Sequence, residues 1–285
     1  MNKAVKLIEC PRDAMQGWHK FIPTQQKITY INSLLKVGFD TIDFGSFVSV
    51  KAIPQMADTS EVIRNLDLGI SKTRLLAIIA NERGAREAIE FDAITYLGFP
   101  FSISETFQQR NTNSSIKESL QRVEAIQSLC IQHKKILVVY LSMAFGNPYD
   151  DVYNEAILLH WADALAARGI TIISLADTVG VATPQQINTA CSILINKYPS
   201  IETGVHLHSS MQNRKEKLDA AFTAGCLRFD GAIKGIGGCP MAQDELVGNM
   251  DTIFMAQYFT EKGLIQNINT EALEESTRIA NEIFI

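Results

Sequence analysis

The chain is poor in the features that would place it among several large protein classes. No apolar run approaches the roughly eighteen residues of a spanning helix, and the start, Met1-Asn2-Lys3-Ala4-Val5, lacks the long apolar segment of a signal peptide. A cytoplasmic protein away from membranes is expected. Lysine and arginine never cluster beyond two or three residues and the formal net charge is -5, which disfavours nucleic acid and anionic lipid surfaces as partners. Small molecules are favoured instead. The five cysteines, at 10, 130, 191, 226 and 239, are odd in number and form no C-x-x-C unit, as in an intracellular enzyme with reduced thiols. Four of them read as small buried hydrophobes, while Cys239 stands apart among glycines and a proline. No Walker loop and no G-x-G-x-x-G after a strand is present, so the common nucleotide-binding frameworks are unsupported. No Pro-, Gly- or Ser-rich linker divides the sequence, and residues 1–285 read as one domain.

What is present is an alternation of β-rich runs and amphipathic stretches. The strand candidates are Val5–Glu9, Thr41–Phe44, Leu75–Ala80, Ile94–Leu97, Ile136–Leu141, Thr171–Leu175, Gly204–His208 and Leu227–Ile233. Helix starts punctuate them: Ser115 with Glu118 forms a capping-box pattern, and Thr183 precedes Pro184 with Gln186 three residues on. Ile116, Leu120, Val123, Ile126 and Cys130 mark one helical face. Eight such units over this length predict an α/β fold, a single parallel (β/α)8 barrel with a C-terminal helical extension. In that extension Leu273, Thr277, Ala280 and Phe284 share a side, either for a homo-oligomeric (dimer) contact or to cover the barrel wall.

In such a barrel the working residues lie past the C-terminal ends of strands. Arg12 and Asp13 follow strand one, Asp43 ends strand two, and Asn81, Ser102, Ser142 and Asp177 follow strands three to six. His206 and His208, two residues apart on strand seven, point to one side. One ring packing and the other capping a carbonyl is the structural alternative. Asp13, His206, His208 and Asn249 make a mixed nitrogen and oxygen donor set, poor for structural zinc and suited to octahedral Mg2+ or Mn2+. Arg12 offers a permanent positive charge for a developing oxyanion. Cys239, on a glycine-rich loop, could move protons after loop closure. Asp177 and Thr178 hold either a ligand or a hydrogen-bond network, and Lys20, Lys51 and Arg110 lie where a phosphorylated tail could rest.

The segments Pro11-Arg12-Asp13-Ala14-Met15-Gln16, Ser46-Phe47-Val48-Ser49 with Pro54-Gln55-Met56, Ser104-Glu105-Thr106-Phe107, Asp177-Thr178-Val179-Gly180 and Gly237-Gly238-Cys239-Pro240 occur in that order. Together they resemble 3-hydroxy-3-methylglutaryl-CoA lyase, within the metal-dependent barrels of Claisen and aldol chemistry that include isopropylmalate and homocitrate synthases. The resemblance implies cleavage of 3-hydroxy-3-methylglutaryl-CoA to acetyl-CoA and acetoacetate. It implies Asp13, His206, His208 and Asn249 as divalent-cation ligands, Arg12 as the enolate-stabilising arginine and Cys239 as the catalytic-loop thiol. Asp13 or His206 is then the hydroxyl base, and Cys239 or His206 the carbon acid. On the acyl-CoA side it puts Gln16, Asp43, Ser46, Asp177 and Thr178. A related aldolase or a condensing enzyme using acyl-CoA and a 2-keto acid is the alternative, with a non-enzymatic binding barrel a distant third. The end at Ile285, without an appended domain, favours the lyase. The family usually has Glu at Asp43, continues Asp-Thr-Tyr-Gly-Gln where Ser209-Ser210-Met211-Gln212-Asn213 stands, and has one residue fewer between Cys239 and Asn249, where this chain carries Asp244-Glu245.

Overall fold

A computed structural model describes residues 4–238, 247–265 and 267–285. The strands are β1 (Lys6–Glu9), β2 (Thr41–Ser46), β3 (Arg74–Ile78), β4 (Ile94–Ser102), β5 (Ile136–Ser142), β6 (Ile172–Ala176), β7 (Glu202–His206) and β8 (Arg228–Gly231). All pair in parallel in chain order, and β1 also pairs with β8, so the sheet closes into the expected barrel. Parallel strands covered on both faces are buried on both, which is why they read in sequence as apolar runs rather than as alternations.

The helices are α1 (Pro11–Gln16), α2 (Thr24–Leu34), α3 (Thr59–Arg64), α4 (Glu82–Ile89), α5 (Glu105–Thr112), α6 (Ile116–Gln132), α7 (Glu155–Ala166), α8 (Pro184–Lys197), α9 (Arg214–Thr223), α10 (Thr252–Glu261) and α11 (Thr270–Ile283). Both expected capping boxes form. Ser115 Oγ accepts from the Glu118 N–H while Glu118 accepts from the Ser115 N–H, and Thr183 and Gln186 repeat the exchange at α8. Asn81, one of the polar residues at a strand end, caps α4 by accepting from the Gly84 N–H at 3.0 Å. The main core lies between strands and helices, and a separate cluster of Leu76, Tyr96, Val138, Tyr140 and Ile172 packs apart from it.

Four expectations change. β4 runs on through Gly98 and Pro100 to Ser102; a Cβ at Gly98 would meet Ile78 at 2.5 Å and Tyr140 at 3.0 Å, so glycine there admits large neighbours. β7 stops at His206, leaving His208 beyond it. β8 is only Arg228–Gly231, because Lys234 takes a left-handed conformation (φ 63°) in the short 3-10 turn that follows. α11 buries Ser276, Ile279, Ala280 and Ile283, a face rotated from the expected stripe, and packs on α2, where Ser276 and Ser33 hydroxyls meet at 2.9 Å. It covers the barrel wall.

Glu9, at the end of β1, is fully buried, and its Oε1 accepts from the Ile233 N–H at 3.1 Å, tying the first strand to the turn after the last. Burial pushes its carboxyl up to about 8. An acid whose folded-state pKa is raised favours the folded state while protonated, so stability falls as pH rises from the ordinary glutamate range toward 8. Glu9→Gln keeps the acceptor and removes the titration. Urea denaturation at a series of pH values is expected to show a flatter profile over that window for the variant, with the larger gain at its alkaline end; parallel profiles would refute this.

Candidate metal centre at the barrel mouth

Asp13 and Arg12 sit in the first turn of α1, immediately past β1, where Pro11 at the first helical position sets the turn. Two strands round the barrel, with β8 between, His206 ends β7 and His208 follows it. Beyond β7 the chain pairs antiparallel with the segment around Asn249: the Met250 N–H donates to the Leu207 carbonyl and the Ser209 N–H to the Gly248 carbonyl, both at 2.9 Å. That pairing sets Asn249 opposite His208. The result joins residues far apart in sequence, since Asn249 Nδ2 donates to Asp13 Oδ2 at 2.7 Å and to the Ile236 carbonyl at 2.9 Å. Gly237 (φ 101°) makes room: a Cβ there would lie 2.7 Å from Asn249 Nδ2 and 2.9 Å from the Asp13 carbonyl.

Donor atoms of Asp13, His206 and His208 lie within 4.8 Å of one another, so the expected ligand set converges. Asn249 stands beside it, hydrogen-bonded to Asp13, and its Oδ1 is buried without a hydrogen-bond partner among the described residues. Such an orphaned oxygen beside a carboxylate and two imidazoles fits a divalent cation. The protonation states fit too. Burial works against the Asp13 anion, but Arg12, His206, the Asn249 hydrogen bond and His208 outweigh it and hold the carboxyl down at about 2. Burial, then the neighbouring His206, lowers His208 to about 3, so its ring is a neutral donor. Burial would also lower His206, yet the Asp230 hydrogen bond and the charges of Asp13 and Asp230 raise it. Asp230 Oδ2 stands 3.4 Å from His206 Nδ1 and orients the ring.

Arg12 is clamped by carboxylates. Its Nη1 donates to Asp13 Oδ1 at 2.9 Å, and Nε and Nη2 both face Asp43, with Nε to Oδ2 at 3.1 Å. A guanidinium has five N–H groups, so one on each terminal nitrogen stays available to a ligand. Asp43, expected on the substrate side, buttresses Arg12: it is 1% exposed and both oxygens face the guanidinium. Burial lifts its carboxyl to about 6 even against that partner.

Asp177 and Thr178 form a hydrogen-bond network. Lys217 Nζ, buried, donates to Asp177 Oδ2 at 2.6 Å, to the His208 carbonyl at 2.8 Å and to the Gly180 carbonyl at 3.1 Å. Asp177 Oδ1 accepts from the Ala182 N–H, and Thr178 Oγ1 from the Met143 N–H. This network fixes the β6 loop to the segment carrying His208. Gln16, half-buried, donates to Asp13 Oδ1 at 3.1 Å. Ser46 is buried, and its hydroxyl has no partner among the described residues. Lys20 and Lys51 are exposed, and Arg110 lies over the Tyr149 ring at 4.6 Å. Cys239, with Asp244 and Glu245, lies outside the described residues.

Asp230, Cys10 and Lys217 belong to the site without a functional signature in the sequence. Cys10 was grouped with the apolar thiols; Cys130 and Cys191 belong to the core, whereas Cys10 faces Asp230, Asp43, Arg12 and Asp13 as charged neighbours. The available signal was its place directly after β1. Asp230 stands in register with His206 but was hidden by extending β8 to Ile233. Lys217, on α9, carries no local mark of its burial.

Fold and site together define a (β/α)8 barrel with a candidate metal centre at its C-terminal mouth. The chain belongs to the HMGL-like family, whose model matches residues 4–279. It is 32% identical over 273 residues to a hydroxymethylglutaryl-CoA lyase of Bacillus subtilis, covering 95% of this chain and 90% of that one. Among solved structures it superposes on the Bacillus subtilis HMG-CoA lyase with TM-score 0.91 and 30% identity, covering 98% of this chain and 93% of that one. An HMG-CoA lyase from Acinetobacter baumannii in complex with coenzyme A and 3-methylmalate superposes with TM-score 0.90 at 29% identity, covering 99% and 91%.

Proposed function

We propose that this chain is an oxo-acid lyase that cleaves 3-hydroxy-3-methylglutaryl-CoA, or a close 3-hydroxyacyl-CoA, in the first case to acetyl-CoA and acetoacetate. The observation that carries the reading is the convergence of Asp13, His206, His208 and the orphaned Asn249 oxygen beside a clamped arginine. These four residues would hold Mg2+ or Mn2+. When bound, such a cation supplies Lewis-acid acidification of a hydroxyl group. The chain's own groups account for the rest. Asp13 or His206 takes the C3 hydroxyl proton, the C2–C3 bond breaks, and the electron pair moves onto the thioester oxygen as an enolate. The free N–H groups of Arg12 meet that oxygen. Protonation of the enolate carbon, by His206 or by the loop thiol Cys239, releases acetyl-CoA. Among the described residues no helix is long and apolar enough to cross a membrane, and Cys10, Cys130, Cys191 and Cys226 are free and buried; these thiols support a reducing, cytoplasmic setting.

The test is an assay of the purified protein with Mg2+ or Mn2+ against 3-hydroxy-3-methylglutaryl-CoA. Acetoacetate and acetyl-CoA in equal amounts are the expected products. Consumption of acetyl-CoA and a 2-keto acid with release of free CoA, and no acetoacetate from the thioester, would assign the chain to the condensing branch instead.

A further inference from the structure

His206 belongs to two convergent sets. The second comprises Cys10, one residue past β1, and Asp230 in β8, which lies between β1 and β7 in the closed sheet. Donor atoms of Cys10, His206 and Asp230 lie within 4.8 Å of one another. Cys10 and Asp230 are 1% and 2% exposed, while the His206 side chain keeps 12% of its surface open. Asp230 uses Oδ2 toward His206 Nδ1, and its Oδ1 is buried with no hydrogen-bond partner among the described residues. The Cys10 thiol makes a long 3.8 Å contact to the Ile8 carbonyl. A buried carboxylate oxygen without a donor, on a residue that stands with a thiol and an imidazole, is costly as it stands and relieved by a cation.

We propose that Cys10, His206 and Asp230 form a second, thiol-containing site for a borderline-soft divalent cation of the Zn2+ class. Sulfur, nitrogen and carboxylate donors suit tetrahedral Zn2+ with one position left for water, whereas Mg2+ avoids thiolate. Bond lengths of about 2.3 Å to sulfur and about 2.0 Å to nitrogen at a tetrahedral angle would set those two donors roughly 3.5 Å apart in the loaded site. Binding releases the Cys10 proton to solvent and leaves a metal thiolate; no electron transfer is involved. His206 is common to both sets, and Nδ1 is the ring nitrogen that faces Asp230. The inference is independent of the lyase reading.

Co2+ serves as the spectroscopic probe, because a thiolate ligand gives a near-ultraviolet charge-transfer band that nitrogen and oxygen ligands do not. Titration of the full-length native protein with Co2+ is expected to raise that band, and excess Zn2+ to bleach it. Cys239→Ser is expected to keep the band, Cys10→Ala to lose it and Asp230→Asn to weaken it. No band in the native protein, a band that survives Cys10→Ala, or a band that disappears with Cys239→Ser would overturn the assignment. Should the Cys10 variant fail to fold by near-ultraviolet circular dichroism, zinc X-ray absorption on the Cys239→Ser protein decides. One sulfur neighbour at about 2.3 Å supports the site, and a shell of nitrogen and oxygen alone refutes it.

Discussion

Arg12→Gln is expected to lower kcat for thioester cleavage by roughly 10^2- to 10^3-fold, the usual cost of removing one preorganised oxyanion donor. The structure gives the reason this residue is sensitive. Asp13 and Asp43 hold the guanidinium on its Nε and on one N–H of each terminal nitrogen, so its remaining N–H groups are fixed in direction before any ligand arrives. Glutamine carries no charge and can satisfy only one of the two carboxylates. Asp43 is then left buried without its cation, and loss of one partner of a buried pair costs about 3–5 kcal/mol. Arg12→Lys restores the charge but cannot span both carboxylates, and is expected to recover part of the stability and little of kcat. Steady-state kinetics beside urea denaturation separates the two effects. A variant that loses stability but keeps kcat within an order of magnitude of the native value would show that Arg12 is structural alone.

Lys217→Met is expected to cost about 3–5 kcal/mol of stability, for the ammonium is the centre of a buried network rather than a surface charge. All three of its N–H groups are used, on Asp177, on Gly180 and on the carbonyl of His208. Methionine fills similar volume but leaves a buried carboxylate alone and frees the backbone of a candidate ligand. For a chain of this size each kcal/mol moves Tm by about 2–4 °C, so a drop on the order of 10 °C is expected in thermal melts. Burial already raises the Asp177 carboxyl against the pull of Lys217, so the stranded acid is expected to take up a proton. Adding Asp177→Asn to Lys217→Met should therefore recover part of the loss. An unchanged Tm for Lys217→Met would mean that the network holds without its cation.

The barrel was legible because its signal is local and repeated: a strand covered on two faces is an apolar run, and a helix start such as Ser115 with Glu118 or Thr183 with Gln186 needs only its own neighbours. That Asp13, His206 and His208 converge was legible for a related reason, since strand ends of a barrel converge whatever joins them. Other roles depended on partners far away in sequence. Asp177 reads equally as ligand or network residue until Lys217, forty positions on, is seen to pair with it. Nothing near Asp43 in sequence shows that both its oxygens face Arg12. His208 was placed on a strand, yet it lies past the end of β7 and is held by pairing with the segment of Asn249, which no periodicity announces. Gly98 and Pro100 looked like the end of β4 because their usual meaning is a break, whereas here the glycine gives way to Ile78 and Tyr140.

Equilibrium Mn2+ binding followed by electron paramagnetic resonance tests directly whether residues from both ends of the chain grip a divalent cation. The native protein is expected to take up Mn2+, and Asp13→Asn and Asn249→Ala each to weaken that binding by about 10- to 100-fold or more, while a distant surface variant such as Lys215→Ala leaves it unchanged. Native protein that binds no Mn2+, or equal affinity in the native, Asp13→Asn and Asn249→Ala proteins, would contradict it.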